Sequence, residues 1–144
     1  MIKQVNVETI LPLRSLVLRE NKGVEFAKFE GDNDEHTIHL AIIEDNQVLS
    51  IASFMKCNYS NYEGLGFQLR GMATHPDYVG KGYASALINY ALSSTVIANA
   101  NYIWFNARKS AVPFYEKLNF KIISKEFEID NIGPHFVMYN VINN

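Results

Sequence analysis

Gly80, Lys81 and Gly82 stand together in the stretch YVGKGYASAL, directly before residues whose apolar positions recur at helical spacing. A short glycine-rich loop that becomes a helix suits one kind of chemistry. The first helical turn has free backbone N–H groups and the positive end of the peptide dipole, so a phosphate fits there. Gly80 and Gly82 would let the backbone approach such a ligand closely, and Lys81 would add charge at the rim. The same residues also read as a turn that merely starts a helix, because short glycine patterns are weak signals. Spacing excludes two anion-binding patterns. A P-loop needs G-x-x-x-x-G-K-[ST], whereas Lys81 is followed by Gly82 and His75 stands at the leading position. The dinucleotide fingerprint G-x-G-x-x-G would need glycine where Ser85 stands.

The elements that must position this loop follow from periodicity. NVETILPLRSLVLREN places Ile10, Leu13, Leu16 and Val17 at amphipathic-helix spacing, with Pro12 near its start. VEFAKF reads as a second short helix. HTIHLAIIEDNQVLSIASFMK reads as two β-branched runs about a tight EDNQ turn, and GFQLRGMAT as a third strand closed by HPD. Ala84, Leu87, Ile88, Ala91 and Leu92 mark the helix after the loop, and NYIWFNA is a strand. Ser110 is expected to cap a helix with Pro113 in its first turn, Phe114 and Leu118 sharing a face. FKIISKEFEI and HFVMYNVI read as closing strands separated by DNIG. This order predicts a mixed α/β domain with a largely antiparallel sheet flanked by helices, since the hairpins are too short for crossovers.

Composition bounds the rest. The 144 residues, 48% hydrophobic and 19% charged, predict one globular domain spanning 1–144. A formal net charge of −2 argues against a broad grip on nucleic acid. Cys57 is the single cysteine, so no internal disulfide and no metal-ligand cysteine spacing are expected. His36 and His39 share a strand face without a third ligand, and no metal site is expected. The N-terminus lacks the apolar run of a signal peptide and no segment reaches membrane-spanning length, so a cytoplasmic protein without membrane contact is expected. The β-rich C-terminal segment could pair across a homodimer.

One family pattern accommodates the loop. LRGMATHPDYVGKGYASALINYAL closely resembles the acetyl-coenzyme A signature of the GNAT N-acetyltransferases, which reads strand, then [QR]-x-x-G-x-[GA], then helix. The matching run here is Val79, Gly80, Lys81, Gly82, Tyr83 and Ala84. Downstream, WFNARKSAVPFYEKLNF looks like the family's strand, helix and A-x-x-F-Y-x-x-x-G-F segment. Two positions depart from the pattern. Val79 stands where arginine or glutamine is usual, and Asn119 replaces the glycine before Phe120; asparagine also tolerates positive φ, so the turn is expected to survive.

The resemblance implies an acetyl-coenzyme A-dependent transferase that acetylates a primary amine by direct attack in a ternary complex. It assigns the cofactor diphosphate to the backbone amides from Val79 to Ala84. It assigns the oxyanion donors to the strand before the loop, at Met72 and Ala73, each such donor supplying roughly 3 kcal/mol of barrier. Tyr115 matches the family's proton donor to the departing thiolate, and Asn106 falls beside the pantetheine arm. Tyr115 also reads as a core aromatic, and Phe114 as packing. The base is open. The strand before the loop offers Gln68 and Arg70 rather than a carboxylate; His135, His75 and a water relay to backbone carbonyls remain candidates. Cys57 reads as inert. Glu30, Asp32, Asp34 and Glu35 read as a solvated loop, or as a border suited to a cationic amine. A non-catalytic acyl-coenzyme A sensor or interaction module on the same fold is the competing reading.

Overall fold

A computed structural model describes residues 1–93, 97 and 99–142. Eight strands form one sheet: β1 (Ile2–Val5), β2 (Ile38–Glu44), β3 (Gln47–Lys56), β4 (Gly66–Thr74), β5 (Tyr102–Arg108), β6 (Lys121–Ile122), β7 (Phe127–Ile129) and β8 (Gly133–Val141). Three α-helices accompany them: α1 (Val7–Leu18), α2 (Tyr83–Ser93) and α3 (Val112–Glu116). The strand order is β1-β2-β3-β4-β5-β8-β6, and β7 also pairs with β8. Every pairing is antiparallel except β4 with β5, whose crossover contains α2. The expected mixed, largely antiparallel α/β architecture is therefore present.

Strand alternation sends apolar side chains to both faces. Leu40, Phe54 and Leu69 join Leu87 and Ile88 of α2 in the main core, while Ala41, Ile51 and Ala73 meet Ile10, Leu11 and Leu13 of α1 on the other side. Helices cover the sheet on both faces. The EDNQ turn closes the β2–β3 hairpin with Asp45 at φ 49° and Asn46 at φ 63°, the left-handed pair a two-residue hairpin turn requires.

Several local expectations change. The buried stripe of α1 is Ile10, Leu11, Leu13, Arg14 and Ser15, while Leu16 and Val17 are more than a third exposed, so the helix is rotated relative to the apolar spacing. VEFA forms one 3-10 turn, Val24–Ala27. Ser110 lies inside a 3-10 turn, Lys109–Ala111, and Ala111 caps α3 without a side-chain bond. FKIISKEFEI is two short strands rather than one: Ser124 Oγ leaves the ladder between them to accept the Val137 amide at 2.8 Å. The sequence reading missed β1, whose four residues are too few for a clear alternation. Among the described residues no helix is long and apolar enough to cross a membrane.

Candidate active site

β4 ends at Thr74 and a 3-10 turn, Pro76–Tyr78, leads into the glycine loop. His75 shapes that turn, its Nδ1 accepting the Asp77 amide at 3.1 Å. Gly80 (φ +82°) and Gly82 (φ +84°) adopt the left-handed region that side chains disfavour. A Cβ on either would meet no atom within 4 Å, so open space rather than crowding lies before them. The first bond of α2 runs from the Ala86 amide to the Gly82 carbonyl at 3.0 Å, which leaves the amides of Tyr83, Ala84 and Ser85 without intrahelical acceptors. These residues edge a cleft of about 290 Å3 whose opposite wall includes Phe114. Val79 is exposed at its rim, and Lys81 Nζ sits 5.6 Å from the Tyr78 ring centroid.

A second opening comes from how β4 and β5 part. They pair at only three positions, Gly66 with Tyr102, Phe67 with Ile103 and Gln68 with Trp104. Beyond that, β8 continues alongside β5 to Arg108 while β4 follows β3, and the two strands diverge. A cavity of about 350 Å3 lies between residues 68–72 and 105–108, closed by Leu18, Phe29, Ala111 and Tyr115. β4 carries a bulge here: Ser53 pairs with Arg70 and Ile51 with Ala73, so Gly71 and Met72 together oppose one residue of β3. Gly71 has φ +64°, and a Cβ there would stand 2.9 Å from Arg14 Nε and 3.0 Å from the Phe29 ring. Only glycine fits.

The bulge decides which amides face the cavity. The His75 amide donates to Leu49 of β3 at 2.8 Å, so by ladder alternation Ala73 also turns its N–H toward β3. Met72 is left on the splayed side and lines the cavity, whereas Ala73 is buried against α1. Tyr115 packs its ring 4.4 Å from Phe105 and points its hydroxyl at Met72 Sδ, 3.9 Å away. Burial pushes its phenol pKa up. Phe114 and Tyr115 are neighbours with ring centroids 5.0 Å apart, one lining the cleft and the other the cavity. α3 thus borders both openings.

The chain has relatives among known proteins. Residues 15–122 match the family model of the acetyltransferase (GNAT) domain. YitI of Bacillus subtilis (strain 168), an uncharacterized N-acetyltransferase, is 32% identical over 142 residues, covering 98% of this chain and 95% of YitI. The chain belongs to the GNAT family. It is an N-acetyltransferase. An aminoglycoside 6'-N-acetyltransferase solved with coenzyme A superimposes with a TM-score of 0.76 at 16% identity, over 100% of this chain and 98% of that one. Escherichia coli ElaA does so with a TM-score of 0.75 at 17% identity, over 96% and 99%.

The GNAT fold brings Met72, Asn106 and Tyr115 to one cavity and Val79, Gly80, Gly82, Tyr83 and Ala84 to the cleft bordered by Phe114, while Lys81 is off the cleft wall with its Nζ near the Tyr78 ring. Asn119 holds φ +70°, the conformation expected where the family has glycine. It does not bring His135 there. That side chain is buried on β8, its Nδ1 2.8 Å from the Gly133 carbonyl, and it is absent from the cavity wall. Cys57 is exposed and away from both openings. His36 lies outside β2 while His39 is buried within it, so the two do not share a strand face.

Sequence reasoning missed a buried polar group that stands behind Phe29, itself on the cavity wall. Arg14 is fully buried, donating from Nη1 to Asp32 Oδ2 at 2.8 Å and to the Ala27 carbonyl at 3.0 Å, and from Nη2 to Ser53 Oγ at 2.9 Å. His39 completes the group, with Nδ1 2.6 Å from Ser53 Oγ and Nε2 3.0 Å from the Asp32 carbonyl oxygen. Asp32 also accepts the Phe29 amide at 2.7 Å. Of the acidic run, Asp32 alone is buried; Glu30, Asp34 and Glu35 stay in solvent. The available signal was an arginine four residues after Ile10, a charge on the apolar face of a helix.

Proposed function

We propose that this GNAT enzyme transfers the acetyl group of acetyl-coenzyme A to a primary amine by direct attack in a ternary complex. The observation that carries the reading is the placement of the two openings side by side, the glycine-loop cleft bordered by Phe114 and the cavity by the neighbouring Tyr115. An extended molecule with an anionic end and a thioester end fits that pair of openings. Loop amides from Val79 to Ala84, most directly those of Tyr83 and Ala84 at the start of α2, hold the diphosphate. Lys81 adds charge at the rim, and Asn106 flanks the pantetheine arm. The bound thioester supplies an activated carbonyl and a thiolate leaving group. The Met72 amide, beside the bulge, donates to the oxyanion as the amine attacks. The N–C bond forms, the C–S bond breaks, and Tyr115 gives its phenolic proton to the departing sulfur. With no carboxylate or histidine on the cavity wall among the described residues, the amine proton leaves through water.

Free thiol release from acetyl-coenzyme A, followed over a panel of amines with Tyr115→Phe alongside, tests the reading. Amine-dependent release that collapses in the variant supports it. Release that survives Tyr115→Phe overturns the proton donor, and binding of acetyl-coenzyme A without turnover of any amine favours the sensor.

A further inference from the structure

Three guanidinium groups gather round the ring of Phe29: the Arg14 carbon lies 3.9 Å from its centroid, Arg70 4.6 Å and Arg19 5.2 Å. Only Arg14 has a carboxylate partner, Asp32. Arg70 reaches nothing stronger than Met55 Sδ at 4.0 Å, and Arg19 donates to its neighbour's carbonyl. Across the cavity stands Arg108, exposed on β5 and, among the described residues, without an ion-pair partner. Arg70 and Arg108 both line the cavity, and among the described residues no aspartate or glutamate does. The acidic run does not restore the balance, because Asp32 is spent on Arg14 and its three acidic companions are solvent-exposed.

We propose that the acceptor amine carries an oxyanion, a carboxylate or a phosphate, and that Arg70 and Arg108 select it. The inference rests on the acetyl-transfer reading above and names the substrate class of that same cavity. Contact with an aromatic face holds a guanidinium without using its in-plane N–H donors, and that planar fork matches carboxylate and phosphate. A polycationic acceptor meets like charge in the same cavity and is disfavoured. The two arginines also act on the nucleophile. Neighbouring positive charge lowers the pKa of a bound ammonium, which raises the fraction of neutral amine in a site where, among the described residues, no carboxylate or histidine lines the wall to take the proton.

The test compares the twenty amino acids with their amides, 2-aminoethyl phosphate and spermidine as acceptors, by thiol release and by the rise in Tm each produces with coenzyme A bound. The amides have the less basic nitrogen, so a preference for the free acid cannot come from a larger share of neutral amine. At least one anionic amine should exceed its neutral counterpart in kcat/KM by about tenfold to a hundredfold, the range of a charge-assisted hydrogen-bond pair. That preference should fall to near unity in Arg70→Gln or in Arg108→Gln, whose exposed side chain leaves folding intact. Relative activity on acids against 2-aminoethyl phosphate separates the carboxylate from the phosphate source. Equal rates on acid and amide, or a preference for spermidine, overturn the inference. So does silence toward every anionic amine in both readouts while coenzyme A binds. Failure to bind coenzyme A overturns the acetyl-transfer reading, and this inference falls with it.

Discussion

Tyr115→Phe removes one oxygen from a residue whose packing is otherwise untouched. The ring keeps its contacts with Phe105 at 4.4 Å and Phe120 at 6.3 Å, and the lost hydrogen bond is to a thioether sulfur 3.9 Å away. A weak bond of that kind contributes under about 1 kcal/mol, so the Tm should move by less than about 4 °C. A general acid contributes about 100-fold or more to the rate, equivalent to about 2.7 kcal/mol of barrier. The two quantities therefore separate cleanly. Steady-state thiol release should show kcat down by about 100-fold, with KM for acetyl-coenzyme A nearly unchanged, beside a melting curve close to wild type. A variant whose kcat stays within about threefold of wild type refutes the assignment. So would a large stability loss with a proportionate loss of activity, which would make Tyr115 a packing residue.

Gly80→Ala and Gly82→Ala each force a side chain into the left-handed region, costing about 1–2 kcal/mol of stability, and also raise KM for acetyl-coenzyme A; urea unfolding with coenzyme A titration reads both, and an unchanged KM sinks the diphosphate assignment. Asp32→Ala leaves Arg14 buried without its partner and should cost about 3–5 kcal/mol, whereas Glu35→Ala, in solvent, should cost under about 0.5 kcal/mol; equal effects in chemical denaturation contradict the buried pair. Because burial raises the Tyr115 pKa in the folded state, its contribution to stability is present below the unfolded value of about 10 and is lost as pH rises through the higher folded value. Stability of the wild type should therefore fall more steeply above about pH 10 than that of Tyr115→Phe, and parallel pH profiles would refute the shift.

Much of this architecture was legible because it is local. The β2–β3 hairpin announces itself through two apolar runs and a turn whose Asp45 and Asn46 accept positive φ. β4 and the turn at Pro76 punctuate the chain where the sequence says they should, and α2 begins within one residue of its first apolar repeat. What stayed hidden depends on partners distant in the chain. Asp32 looks like its solvated neighbours until Arg14, 18 residues away, is folded against it. The parting of β4 from β5 is a matter of which strand each follows after three shared pairs, and no periodicity encodes it. His135 looked well placed on a closing strand, but β8 buries it and its Nδ1 lies against the Gly133 carbonyl.

The cavity's charge is set from α1, whose Leu18 also lines the wall. Arg14 enters from α1 and, through Ala27, Asp32 and Ser53, fixes the segment that carries Phe29 against β3. Phe29 in turn holds Arg70 at the cavity wall. Gly71 gives Arg14 and Phe29 the room to approach β4, and the same residue makes the bulge that leaves Met72 beside the cavity. One glycine therefore serves two demands, the placement of the Met72 amide beside the cavity and the placement of Arg70 on its wall. A side chain at position 71 would push on both Arg14 and Phe29 at once, and Arg14 cannot retreat without leaving the buried Asp32 carboxylate unpaired. The proposed acceptor recognition and the proposed acetyl-transfer geometry therefore meet at a single backbone position, and a substitution there is expected to alter both.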